Sequence, residues 1–126
     1  MHREVLRGKI HRATVTEANL EYEGSLTVDV ALMEAAGLSA YERIDVYDIT
    51  NGNRFSTYLI EGPRHSGVIC VNGAAAHLAK QGDRIIITGY GLATEAEVKT
   101  HRPRVVLVDD KNRVKRVEHE STGARL

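Results

Sequence analysis

The sequence is poor in three things: cysteine, net charge and long apolar runs. Its single cysteine, Cys70, has no second thiol to pair with inside the chain, and no CxxC motif exists. Disulfide stapling and a cysteine-based metal site are therefore not expected. Lys+Arg and Asp+Glu both number 17, a formal net charge of zero. A neutral chain carries no overall field to draw it to nucleic acid or to an anionic membrane, and little to oppose self-association. Met1-His2-Arg3-Glu4 leads into short apolar runs only. Neither a signal-peptide core nor a bilayer-spanning segment is expected, and the chain reads as a cytoplasmic protein. Internal repeats, low-complexity segments and cofactor-binding fingerprints are also missing.

What is present fits one globular domain. The 126 residues leave little room for two domains, and 42% hydrophobic with 27% charged residues is the balance of a folded chain. Most segments are short and rich in β-branched residues. Val5 to Val15 reads as a broken strand with Lys9, His11 and Ala13 on one face and Ile10 and Arg12 on the other. Glu21 to Val28 reads as a strand interrupted at Gly24-Ser25. Asp29 to Ala36 is a short helix closed by Gly37. Arg43 to Thr50 and Asn53 to Ile60 form a hairpin about a type I′ Asn51-Gly52 turn. Val68 to Val71 is a buried strand, turned by Asn72-Gly73 into a small helix from Ala74 to Lys80. Arg84 to Thr88, Val105 to Val108 and Arg113 to Val117 are further strands, the last two joined by a turn at Asp109 to Asn112. From Glu118 onward the polar tail is expected to fray. Many short strands with two or three short helices predict a mainly β fold, a small closed barrel. Side chains fill the inside of so small a barrel, so an active site belongs on its rim or between subunits.

A Gly-Ser dipeptide arises easily by chance in a chain with 11 glycines, and alone it reads as a turn or bulge. The surrounding blocks change its meaning. Gly8-Lys9-Ile10-His11-Arg12 precedes Tyr22-Glu23-Gly24-Ser25. Asn51-Gly52-Asn53-Arg54-Phe55-Ser56-Thr57-Tyr58 and Val71-Asn72-Gly73-Ala74-Ala75-Ala76-His77 follow. In this order and spacing, from about Val5 to Pro103, the chain resembles the bacterial aspartate 1-decarboxylase family.

The resemblance implies a double-psi β-barrel that forms a homotetramer with active sites at subunit contacts. It implies a proenzyme that cuts itself between Gly24 and Ser25, giving residues 1–24 and 25–126. Ser25 would become a pyruvoyl group, a cofactor made from the chain, in place of pyridoxal phosphate or a metal. The chemistry is coherent. The Ser25 hydroxyl attacks the carbonyl of Gly24 and converts amide to ester. Glycine has no Cβ to obstruct that approach. Elimination releases the Gly24 carboxylate and leaves dehydroalanine, which hydrolyses to the ketone. The oxyanion on Gly24 needs a donor. The resemblance assigns that role to Thr57, with His11, Tyr22 and Asn72 as helpers.

Decarboxylation of L-aspartate to β-alanine then needs an electron sink, which a Schiff base to the ketone provides. The dicarboxylate substrate needs cations. Arg54 can grip a carboxylate with two parallel hydrogen bonds, and Lys9 is a second candidate. Tyr58 resembles the family's proton donor; a phenol keeps its proton at neutral pH and can deliver it. Thr57 also lies within reach of substrate by resemblance. Gly73, Ala74 and Ala75 offer backbone N–H groups. In a regular strand Arg54, Ser56 and Tyr58 share one face and Thr57 the other, so Thr57 and Tyr58 cannot both face one pocket without a twist or a rim site. Tyr47, across the hairpin, is assigned to packing and His77 to structure. Arg113 to Arg116 reads as a solvated strand face. None of the histidines shows metal-ligand spacing. The implied pathway role is supply of β-alanine for pantothenate and coenzyme A.

Two other readings remain open on the residues alone. One is a hydrolase using Ser25 with His11; the other is a non-enzymatic interaction barrel. Both leave the chain intact.

Overall fold

The computed structural model describes residues 1–119. Nine strands form one hydrogen-bonded series: β1 (His2–Thr14), β2 (Glu17–Asn19), β3 (Ser25–Asp29), β4 (Arg43–Asp48), β5 (Arg54–Gly62), β6 (Ile69–Asn72), β7 (Arg84–Thr94), β8 (Arg104–Val108) and β9 (Val114–His119). Their order is β2-β6-β3-β5-β4-β7-β1-β8-β9. Two short helices, α1 (Val30–Ala36) and α2 (Glu95–Val98), and a 3-10 turn at Gly73–His77 complete the fold. The chain is thus mainly β, as composition and strand length led one to expect. The ladder is not closed into a ring, yet the arrangement is compatible with the small double-psi β-barrel. No helix among the described residues is long and apolar enough to cross a membrane.

The core is built largely from one face of the alternating strands. Ile10, Ile87 and Val46 are fully buried cross-strand neighbours, and Phe55 follows in the same row on β5. Leu26, Leu59 and Val71 extend that apolar face through β3, β5 and β6. Buried aliphatic side chains of this kind each contribute roughly 1.5–3 kcal/mol. Two buried polar residues tie the loops to this core. Asp29 accepts from Ala31 N at the start of α1 and from His65 N and Gly67 N. The Asn112 side chain accepts from Thr14 N and donates to Thr14 O and Gly67 O.

Several local expectations need correction. Arg12 adopts φ 64°, and the β1–β7 register slips between Ile10 and Ala13. This bulge resets the alternation, so Ala13 joins Ile10 in the core and does not share a face with Lys9. Gly24-Ser25 does not interrupt a strand. It ends the turn after β2, and Ser25 opens β3. The hairpin does not use a two-residue type I′ turn. Four residues, 49–52, connect Asp48 to Asn53, and only Gly52 has positive φ, at 79°. The Asp48 carboxylate accepts from Thr50 N and Asn51 N and shapes that longer loop. The segment after Asn72 is a five-residue 3-10 turn, not a helix to Lys80. Strand β7 runs six residues beyond Thr88. Strand β9 includes Glu118 and His119, which were expected to fray; residues 120–126 lie outside the described residues.

Candidate active site

The site is assembled where β3, β5 and β6 run side by side. Ser25 is the first residue of β3 and is 2% exposed. It pairs with Asn72, the last residue of β6. The Asn72 amide donates from Nδ2 to Ser25 Oγ at 3.0 Å and to Thr27 Oγ1 at 3.0 Å. Its Oδ1 accepts from the Cys70 thiol at 3.1 Å. Register explains the grouping. Ser25, Thr27, Cys70 and Asn72 all project from the side of the sheet opposite Leu26, Val28 and Val71. Burial pushes the Cys70 thiol up from its ordinary pKa, and the Glu17 carboxylate, paired with it across β2–β6, adds to this.

Gly24 is exposed, and nothing stands within 4 Å of where a Cβ would be. Its backbone rests on Gly73. A Cβ on Gly73 would lie 2.7 Å from Gly24 Cα and N and 2.9 Å from Tyr22 O. Gly73 also has φ 68°, a conformation that side chains disfavour. Glycine at 73 therefore lets the 3-10 turn pack directly under the Gly24-Ser25 link.

The ladder between β3 and β5 begins at Leu26↔Leu59, which leaves Ser25 beside Tyr58 at its open end. Tyr58 is half-buried, paired with Arg43 on the outer face. Thr57 pairs with the core residue Ile44 and projects to the other face. No bulge in β5 brings Thr57 and Tyr58 together, so the two stay on opposite sides of the strand.

The cationic candidates lie farther along this outer face. Lys9, Thr88, Asp45 and Ser56 form one cross-strand row. Ser56 Oγ donates to Asp45 Oδ1 at 2.6 Å. Arg54 stands four residues before Tyr58, about 13 Å along the strand. Its guanidinium lies 4.9 Å from the Tyr47 ring centre, a stacking distance. The Tyr47 hydroxyl shares a 3.0 Å hydrogen bond with that of Tyr90. Tyr47, assigned from sequence to packing, lies on the outer polar face against Arg54. A cleft of about 290 Å³ around Arg54 is lined by Asp45, Tyr47, Phe55 and Ser56, and includes neither Ser25 nor Tyr58. Half-buried His11 lines a different cleft of about 530 Å³, with Arg12, Arg84 and Lys115. Tyr22 is exposed in the turn before Gly24, and Ala74 and Ala75 belong to the 3-10 turn on Gly73.

The structure therefore brings together Gly24, Ser25, Asn72 and Gly73, with Tyr58 adjacent. It does not gather Lys9 and Arg54 to them within one chain. Sequence reasoning missed Thr27 and Cys70. A two-residue spacing from Ser25 and from Asn72 on strands was the available signal.

Fold and site define a class: a small, mainly β protein whose buried serine heads a strand directly behind an exposed glycine. Comparison with known proteins narrows this. The aspartate decarboxylase family profile matches residues 1–115. An aspartate 1-decarboxylase of Lactiplantibacillus plantarum is 55% identical over 121 residues, covering 95% of this chain and 93% of its own. Those of Caldicellulosiruptor saccharolyticus and Bordetella avium are each 56% identical over 117 residues, covering 93% of this chain and 91% and 96% of theirs. The chain belongs to the aspartate decarboxylase family.

Proposed function

We propose that this protein decarboxylates L-aspartate to β-alanine with a pyruvoyl group made from Ser25, after the chain breaks between Gly24 and Ser25. Membership of the family supports the reaction; the environment of Ser25 supports the route. The observation that carries the proposal is a buried serine hydroxyl held by Asn72 at the head of β3, behind an exposed glycine whose backbone lies against Gly73. The side chain is held by Asn72, and no neighbour crowds the side of Gly24 where a Cβ would stand. That is the arrangement an attack of Ser25 Oγ on the Gly24 carbonyl needs. The ketone left at residue 25 would supply the electron sink that loss of CO2 requires.

The remaining residues bind, orient and protonate. Asn72 holds the oxygen of Ser25, and Gly73 seats the segment. Tyr58, level with Ser25 on the outer face, would give a proton to the carbon that loses its carboxylate. Arg54 and Lys9 would hold the substrate carboxylates. Since one chain leaves them apart from Ser25, we propose that a neighbouring subunit of a homotetramer supplies them. Thr57 faces the core side, so its contribution to processing requires the segment around Gly24 to move toward it or to act across the strand end. The product β-alanine would feed pantothenate and coenzyme A synthesis in the cytoplasm.

Denaturing mass spectrometry of purified protein tests the reading. It predicts fragments 1–24 and 25–126, the larger without a free N-terminal amine, with prolonged warming completing any slow cleavage. Ser25→Ala should give an intact chain and no CO2 release. An active Ser25→Ala protein would end the proposal. A Ser25–His11 hydrolase and a non-enzymatic barrel both predict an intact wild-type chain.

A further inference from the structure

We propose that Cys70 is a positioning residue for the cleavage at Gly24-Ser25: its thiol decides which end of the Asn72 amide faces Ser25. This inference rests on the self-cleavage reading above.

The two ends of an asparagine amide are nearly equal in shape but opposite in hydrogen bonding. In this site the Nδ2 end spends both protons, one on Ser25 Oγ and one on Thr27 Oγ1. Those hydroxyls do not enforce that orientation. A hydroxyl accepts or donates as required, so Ser25 and Thr27 could equally donate to Oδ1 of an amide turned over. The third neighbour breaks the tie. Cys70 is two residues from Asn72 on β6, is 6% exposed, and places Sγ 3.1 Å from Oδ1. Burial, then the Glu17 carboxylate, which is also a hydrogen-bond partner of the thiol, favour the protonated form, and the 3.1 Å approach to Oδ1 lets that proton serve Asn72. Sulfur is a poor acceptor, and an inverted amide would set its N–H groups against it in a buried place. The oxygen end is therefore held at Cys70 and the nitrogen end at Ser25.

The orientation matters for both halves of the cleavage. Ser25 Oγ is the nucleophile of the first step. Its bond to Ser25 Cβ later breaks as the Ser25 α-proton passes to water, and the electron pair stays on that oxygen, which becomes part of the Gly24 carboxylate. A fixed N–H donor on this atom positions it at the start and stabilises its negative charge at the end. An inverted amide would present a carbonyl oxygen there.

The test compares self-cleavage rates of the full-length proenzyme by denaturing mass spectrometry, with thermal unfolding as the folding check. Cys70→Ala removes the donor and should slow cleavage about tenfold, the loss of one net hydrogen bond. Cys70→Ser keeps a donor and should recover the rate to within about threefold of wild type. In an Asn72→Ala background, Cys70→Ala and Cys70→Ser should be indistinguishable. Should Cys70→Ala fail to fold, Cys70→Val fills the space without a donor and takes its place against Cys70→Ser. Wild-type cleavage with Cys70→Ala or Cys70→Val at the normal rate overturns the role of Cys70 alone. So does a Cys70→Ser chain as slow as its donor-free counterpart. A wild-type chain that never cleaves overturns this inference together with the reading on which it rests.

Discussion

At the scale of single residues, the outer face separates two jobs. Tyr58 sits at the open end of the β3–β5 ladder beside Ser25, while Asn72 holds Ser25 from β6. Tyr58→Phe leaves the Asn72 contact intact, so the variant should still cleave while its β-alanine formation falls about 10²-fold; mass spectrometry and a product assay on one preparation read both. Normal turnover by Tyr58→Phe would remove the tyrosine from the mechanism. A second residue makes stability depend on pH. Asp48 is 2% exposed, and its carboxyl lies against that of Asp83. Burial, then the neighbouring Asp83 carboxylate, pushes its pKa up from 3.8 to about 6. A carboxyl raised on folding favours the fold while protonated. The benefit is complete below the unfolded value and disappears as pH rises through about 6. Asp48→Asn is neutral at every pH and keeps an acceptor for Thr50 N and Asn51 N. It should raise Tm by roughly 5 °C at pH 7.5 and change it little at pH 4.5. Equal effects at both pH values would contradict this origin.

At the scale of elements, the β6-to-turn junction is the feature that seats the Gly24-Ser25 peptide, the proposed point of cleavage. Gly73 has positive φ and touches Gly24 where a side chain would collide. Gly73→Ala should therefore displace the Gly24 segment and slow cleavage by at least about tenfold, beyond a backbone cost of roughly 1–2 kcal/mol. Unchanged cleavage kinetics in a folded Gly73→Ala protein would show that the contact is incidental. Several of these elements could be read from sequence and some could not. Asp29 and Gly37 marked α1 because a capping carboxylate and a left-handed terminus leave a local signature. The Thr94-to-Glu97 capping box of α2 is an equally local signature. The bulge at Arg12 was not legible, since arginine gives no hint of positive φ. Nor was the four-residue hairpin loop: Asn-Gly suggests a two-residue turn, and the buried Asp48 that binds the loop amides wins over that preference. Ser25, Asn72 and Gly73 were named from their motifs. Their mutual contact depends on β3 meeting β6, a long-range pairing that no local pattern encodes.

At the scale of the whole molecule, one chain carries the proposed parts of the site without uniting them. Arg54 opens its own cleft, and Lys9 lies in the row of Thr88, Asp45 and Ser56. The arrangement makes sense if two copies place these faces against each other, as a neutral chain readily allows. Co-assembly gives the test. Ser25→Ala and Arg54→Ala chains are each expected to be inactive alone, yet assembled together they should regain a sizeable fraction of activity, because some contacts would join an intact Ser25 to an intact Arg54. Hybrids as inactive as their parents would place both residues in one subunit.

The proposed reaction hangs on a ketone at residue 25. Treating active protein with a hydride or hydrazine reagent and mapping the adduct by mass spectrometry examines it directly. A modified carbonyl at the first residue of the 25–126 fragment, with activity lost in step, is the predicted result. Protein that turns over aspartate but yields no carbonyl adduct would contradict the account.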